Sequence, residues 1–304
     1  MINIISACTN SKKHIPIEAL KIETFNPDMS LDNVIQIWNN TINKKAGPVF
    51  KAKELYKGGA WQASLDTNTT LSTKYKTDLY VASAGYGLIH AETEICSYDS
   101  TFSSSTINSI TKFVKGSSKT ANIKWWNAIN SFPISSFPEE SYFFIVLPRN
   151  YLFATQDMIK NLIDKFNKNV FIFVANKHSV PSCMEQNIIK FDSRFNNFKT
   201  GILSNMLQRA VLWISNEIVE NNLSLSHSEL QNHIEQEMQK HKSFVMPIRE
   251  KLTEKEIREK IKNMILNDHI PSATKGLKLF RSNGYACEQK RFGQLFKEVK
   301  GTLS

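Results

Sequence analysis

The sequence predicts an α/β fold: a mostly parallel sheet flanked by helices, followed by a smaller C-terminal helical domain of helix-turn-helix outline. Three observations predict it. Short apolar runs at 2–5, 79–83, 142–147 and 170–175 do not alternate with polar residues, the pattern of strands covered on both faces. Amphipathic helical patterns lie between them, and strands alternating with helices point to parallel pairing. The last fifth of the chain turns helical and strongly basic. With 304 residues, 41% of them hydrophobic and 11% aromatic, the chain can bury a sizeable core in one or two domains.

The elements follow in order. Residues 2–5 open the chain as a strand, so no secretory signal is expected. Residues 31–43 read as a helix with Leu31, Val34, Ile35 and Trp38 on one face. The strand at 79–83 runs into the small-residue loop 84–89. The Ser/Thr-rich stretch 103–118 reads as an exposed crossover or a mobile loop, and Trp125 and Trp126 sit on a helix as core residues. After the strand at 142–147, a helix opens near Asp157 and ends near Lys168, with Thr155 or Asp157 as its cap. Strands at 170–175 and 187–191 follow, then a long helix at 202–221. From 222 the chain becomes polar. Ser226 and Glu229 fit a capping box there, and the spacing of His227 and His233 favours solvated surface over a metal pair. The expected boundaries are therefore an α/β domain at 1–221 and a helical linker with a basic domain at 222–304.

The C-terminal region carries a second capping box at Thr253 and Glu256, a break at Pro271, a Ser272 cap, an Asn283-Gly284 turn and a helix at 288–299. Its apolar positions recur at helical spacing. Helix, tight turn, helix is the outline of a nucleic-acid reader. The chain has a net charge of +10. Residues 246–304 hold 13 Lys and Arg against 7 Asp and Glu, and so supply +6 of it. Lys275, Lys278, Arg281, Lys290, Arg291 and Lys297 are the expected phosphate contacts, and DNA the expected partner. A basic helical cap without a partner is the plainer alternative.

Several classes are disfavoured. No run approaches the roughly 18 apolar residues of a membrane span. The four cysteines are dispersed and form no CxxC pair, which argues against disulfides, structural zinc and zinc-deaminase chemistry and favours a cytoplasmic setting. No Walker A, GxGxxG or GxSxG motif is present.

Open α/β sheets place ligands at the carboxyl ends of their strands. Here those ends carry Ser6-Ala7-Cys8-Thr9-Asn10-Ser11-Lys12-Lys13 and Ser83-Ala84-Gly85-Tyr86-Gly87-Leu88-Ile89. With Ala52-Lys53-Glu54-Leu55-Tyr56-Lys57-Gly58 and Ser97-Tyr98-Asp99-Ser100-Thr101-Phe102, these motifs resemble the bacterial YaaA-like proteins. The resemblance covers residues 1–102 well and the remaining α/β region loosely. Gly85 stands where that family commonly has a basic or larger residue, and Ser97 where it has Pro; both changes are expected to widen the pocket. The whole layout is also similar to an anti-phage DNA glycosylase that excises glucosylated hydroxymethylcytosine. That resemblance implies a bacterial antiviral hydrolase acting on a flipped, modified base in DNA, with no metal or other cofactor and an abasic product.

The chemistry suits particular residues. Cleaving an N-glycosidic bond builds positive charge on the sugar, which a carboxylate stabilises directly or through an oriented water. Asp99 is the expected catalytic carboxylate, with Tyr98 beside it; a turn-forming Asp is the alternative. Tyr86 and Tyr98 suit a stacking clamp or half-buried core. Ser6, Asn10, Ser11, Lys12, Gly85 and Asn176 are expected to line the substrate site, with Ser97 adding a hydroxyl. A non-enzymatic DNA-binding stress-response protein and a nucleotide or nucleoside hydrolase or transferase remain the competing readings.

Overall fold

The computed structural model describes residues 1–104, 106–175 and 180–303. The apolar runs become the sheet: β1 (Ile2–Ala7), β3 (Thr77–Ser83), β6 (Tyr142–Val146) and β7 (Val170–Ala175) are buried along most of their length. β8 (Ile188–Phe191) forms one edge and β4 (Gly87–His90) the other, in the order β4-β3-β1-β6-β7-β8. Only β4 runs antiparallel. Ile4 lies between Leu79 and Phe144 in the central register. A second, two-stranded antiparallel sheet pairs β2 (Val49–Lys51) with β5 (Glu94–Cys96).

The antiparallel edge depends on Gly87. Its φ of +71° is a conformation that L side chains rarely adopt, and an added Cβ would lie 2.6 Å from the Asn130 backbone. The Asn130 side chain in turn accepts from the Leu88 N–H at 2.8 Å. This tight return folds residues 87–90 back as a strand.

Helices cover the sheet. α1 (Leu31–Asn43) is capped by Ser30 and buries Leu31, Val34, Ile35 and Trp38, as its periodicity predicts. α2 (Ala52–Leu55) and α3 (Gly59–Ser72) follow β2, and α3 packs along α8 (Met206–Glu220). α4 (Ser118–Ile129) buries both tryptophans. α5 (Arg149–Ala154) and α6 (Gln156–Phe166) follow β6, and α7 (Phe195–Phe198) follows β8. Neither expected α6 cap operates. The Thr155 hydroxyl donates to Tyr151 O at 2.8 Å, and Asp157 accepts from the Asn127 amide at 2.8 Å. Within the stretch read as an exposed crossover or mobile loop, residues 106–107 and 115–118 are exposed, whereas a turn at Ile110–Phe113 buries Ile110 and Phe113.

The chain divides into Met1–Phe244 and Val245–Ser304. This moves the boundary expected after residue 221. α9 (His227–Met238) belongs to the first unit, because Leu230, Ile234 and Met238 join its core. Its histidines are not solvated as expected: His227 stacks on Phe171 at 4.3 Å, and His233 meets Glu217 at 3.0 Å. The second unit contains α10 (Glu254–Leu266), α11 (Ala273–Ser282) and α12 (Gln289–Leu303) around Ile257, Ile261, Met264, Phe280, Phe292 and Phe296. Both halves of the Thr253–Glu256 capping box form. β9 (Glu250–Lys251) and β10 (Tyr285–Ala286) tie the entry to this unit against its central turn.

Candidate functional site

β1 sits between β3 and β6, so the chain leaves β1 toward one side of the sheet and leaves β6 toward the other. A crevice opens at such a reversal, outside the carboxyl ends of the strands. Cys8 follows β1, Ala84 to Tyr86 follow β3, and Tyr151 follows β6. Side chains link these ends directly. Cys8 Sγ and Tyr151 Oη share a hydrogen bond of 3.1 Å, and the Ala84 N–H points to Cys8 Sγ at 3.5 Å.

A compact hydroxyl cluster lies beside this link. Ser83 Oγ accepts from the N–H groups of Gly85 at 3.2 Å and Tyr86 at 3.1 Å. It meets Tyr98 Oη at 2.7 Å, and Tyr98 Oη meets Tyr56 Oη at 3.0 Å. Burial pushes the phenols of Tyr56, Tyr98 and Tyr151 well above the ordinary tyrosine range. They are therefore neutral hydrogen-bonding groups at physiological pH.

Lys12 enters this cluster from the β1 loop. Thr9 Oγ1 donates to the carbonyls of Ser11 (2.9 Å) and Lys57 (3.0 Å), and Lys12 bridges the Tyr56 backbone, so the loop is clamped to the end of α2. Lys12 is half-buried. Its Nζ lies 4.1 Å from the centre of the Tyr98 ring and 5.9 Å from that of Tyr56. Its one hydrogen bond among the described residues is a long donation to Thr9 O at 3.5 Å. Burial lowers its pKa below the usual lysine range, opposed by Cys8 and the Asp99 carboxylate.

Asp99 follows Tyr98 directly, is half-buried, and lies near enough to Lys12 for their charges to interact. Its N–H donates to Leu20 O at 2.7 Å, and its carbonyl accepts from Ile22 N–H at 2.9 Å. The Asn108 amide donates to one carboxylate oxygen. This fixes the carboxylate and leaves it further accepting capacity. The neighbouring loop is equally fixed: Ala84 O accepts from Trp125 Nε1 (2.8 Å) and Ser100 Oγ (3.0 Å), and Gly85 O from Trp38 Nε1 (2.8 Å).

The structure thus brings Lys12, Tyr98 and Asp99 together but corrects several expected roles. Tyr98 is 0% exposed and packs edge-on against Trp38, Tyr56 and Tyr86, so its ring cannot stack a base in this conformation. Gly85 widens nothing: an added Cβ would fall 2.5 Å from the Tyr98 ring. Ser6 is 1% exposed and spends its hydroxyl on Ser64 Oγ at 2.7 Å, since it lies within β1 rather than beyond it. Ser97 donates to His14 O at 2.6 Å. Tyr86 is half-buried, its hydroxyl held by the Cys96 backbone. Asn10 and Ser11 stay exposed on the loop. Asn176 lies outside the described residues. Sequence reasoning missed Cys8, Ser83, Tyr56, Tyr151 and Asn108 as site residues. Ser83 and Tyr56 stood in the quoted motifs, and Tyr151 just beyond a strand end; nothing marked Asn108 among its Ser and Thr neighbours.

A groove of about 400 Å³ adjoins Ser97, walled by Lys13, His14, Ile17, Pro48 and Phe50, with the rings of His14 and Phe50 stacked at 3.7 Å. Among the described residues, no three His, Cys, Asp or Glu side chains cluster to hold a metal ion.

In the second unit, Lys275 and Lys278 are exposed on α11, and Lys290, Arg291 and Lys297 on α12. The carboxylate pairings found in this unit involve Arg258 and Arg291, leaving those four lysines without such partners among the described residues. Arg281 is half-buried and donates to Cys287 O at 2.9 Å, so its role is partly structural. Lys290 and Lys297 lie two turns apart on one face of α12.

Comparison with protein-family models, with curated proteins and with solved structures finds no match for this chain. No helix among the described residues is long and apolar enough to cross a membrane.

Proposed function

We propose that this protein is a DNA glycosylase that cleaves the bond between a modified base and its deoxyribose, leaving an abasic site. The observation that carries the reading is Asp99: a half-buried carboxylate, anchored by Asn108 and within charge-interaction range of Lys12. A fixed carboxylate is what an oxocarbenium-like transition state requires, as a stabilising charge or as the partner of an attacking water. The exposed lysines of α11 and α12 support a DNA substrate, since phosphate contacts dominate such binding.

An enlarged, glucosylated hydroxymethylcytosine is the proposed base, and an antiviral role in the bacterial cytoplasm follows from that choice. The space for its sugar is better supplied by the groove beside Ser97 than by Gly85, which is filled by Tyr98. A site that bonds sugar hydroxyls rejects a base lacking them, because its own polar groups are then left unpaired. The test is abasic-site yield on glucosylated, hydroxymethylated and plain DNA side by side. Yield on the glucosylated DNA alone is expected. Equal yields on all three would refute sugar reading, and tight binding with no yield on any would favour a non-enzymatic DNA-binding protein.

A further inference from the structure

We propose that Lys12 is a nucleophile that attacks the aldehyde carbon of an abasic sugar, giving this protein an abasic-site lyase activity in addition to base excision. Of the lysines nearby, Lys13 and Lys57 are exposed to solvent. Lys51 and Lys53 both pair with Glu92, and Lys21 pairs with Glu18. Lys12 has no carboxylate within ion-pair distance among the described residues. It is half-buried, with its Nζ over the Tyr98 ring at 4.1 Å and a single long bond to a carbonyl. A salt-bridged ammonium has no lone pair to offer, whereas a desolvated amine with few partners does. The position of the amine matters as much. It lies near enough to Asp99 for the two charges to interact.

A protonated lysine beside a developing sugar cation would oppose base excision by like-charge repulsion. Burial lowers the Lys12 pKa, which eases that conflict and makes the free amine more accessible once the base has gone.

The steps balance without any further reagent. The ring-opened abasic sugar presents an aldehyde at C1′. The Nζ lone pair adds to that carbon; the resulting hydroxyl takes a proton from solvent and leaves as water, giving an iminium, and that proton is returned when the iminium is later hydrolysed. The Asp99 carboxylate takes a C2′ proton. The electrons of the C2′–H bond form a C–C double bond, and the C3′–O bond breaks, so the 3′ phosphate leaves as the 5′-phosphate end of the downstream strand. One water then hydrolyses the conjugated iminium, which frees Lys12 and leaves an unsaturated aldehyde on the upstream strand.

The proposal rests on the glycosylase reading only for its supply of abasic sugar, so its test starts from a duplex that already contains one abasic site. Full-length protein is mixed with that duplex, with and without sodium borohydride, which reduces an iminium to a stable amine. Strand scission without borohydride, and a covalent protein–DNA complex with it, are expected. Peptide mapping of the complex should place the adduct on Lys12, and Lys12→Arg should reduce both signals to the level of DNA alone. No covalent complex with the unaltered protein, or an adduct mapped to another amine, overturns the proposal. Because no base is released in this assay, a failure here leaves the excision reading standing. Trapping at Lys12 by a protein that releases no base would instead support the lyase and sink the glycosylase.

Discussion

A side chain's availability is decided by what folds over it, and that separates Asp99 from its neighbours. Asp99 was legible because a carboxylate in a polar, turn-rich segment is seldom fully buried, and it is half-exposed here. Tyr98, one residue earlier, faces the opposite way into Trp38, Tyr56 and Tyr86. No local pattern reveals that, because Tyr56 and Trp38 come from segments 42 and 60 residues away. The same holds for Ser6, whose hydroxyl partner is 58 residues distant. Gly85 turns this into a prediction. Its added Cβ would meet Tyr98 at 2.5 Å, and that ring is locked by Ser83 and Tyr56, so it cannot yield. Gly85→Ala should therefore destabilise the first unit by about 1–3 kcal/mol, the usual range for overpacking. Chemical denaturation checks it; an unchanged midpoint would show that the site has room after all.

At the scale of elements, the parallel strands were legible because burial on both faces leaves an unbroken apolar run, as in Phe143-Phe144-Ile145-Val146. β4 was not, because four residues with two polar or small members, Gly87-Leu88-Ile89-His90, carry no such signal. Its existence depends on the Gly87 return and on Asn130, which is 42 residues from the amide it holds. α9 was assigned to the wrong unit for a related reason. Its polar composition suggested a linker, yet Leu230, Ile234 and Met238 recur every four residues and are fully buried. The stripe, rather than the mean polarity, decides where a helix packs. The capping boxes divide similarly. Thr253 and Glu256 bond reciprocally, whereas Glu229 turns away from Ser226 to the Ser224 N–H and hydroxyl.

For the whole molecule, the two units supply different parts of the proposed activity: catalytic groups at the strand ends, and basic charge on a separate helical core. Replacing Lys275, Lys278, Lys290 and Lys297 with Gln should weaken DNA binding and flatten its salt dependence. The slope of log affinity against log salt should fall by about 0.9 for each phosphate that the protein no longer neutralises. A slope that does not move would mean that this surface does not touch DNA. The central claim, that the carboxylate of Asp99 drives base excision, has a more direct test. Asp99→Asn keeps the side chain's shape and can still bond to Asn108, while removing the charge that an oxocarbenium ion needs. Base release from glucosylated phage DNA should be followed for both proteins, with DNA affinity measured in parallel. Unchanged affinity and a loss of release of about 10²-fold or more, the scale of a positioned acid–base group, are expected. Near-normal release by Asp99→Asn would contradict the claim.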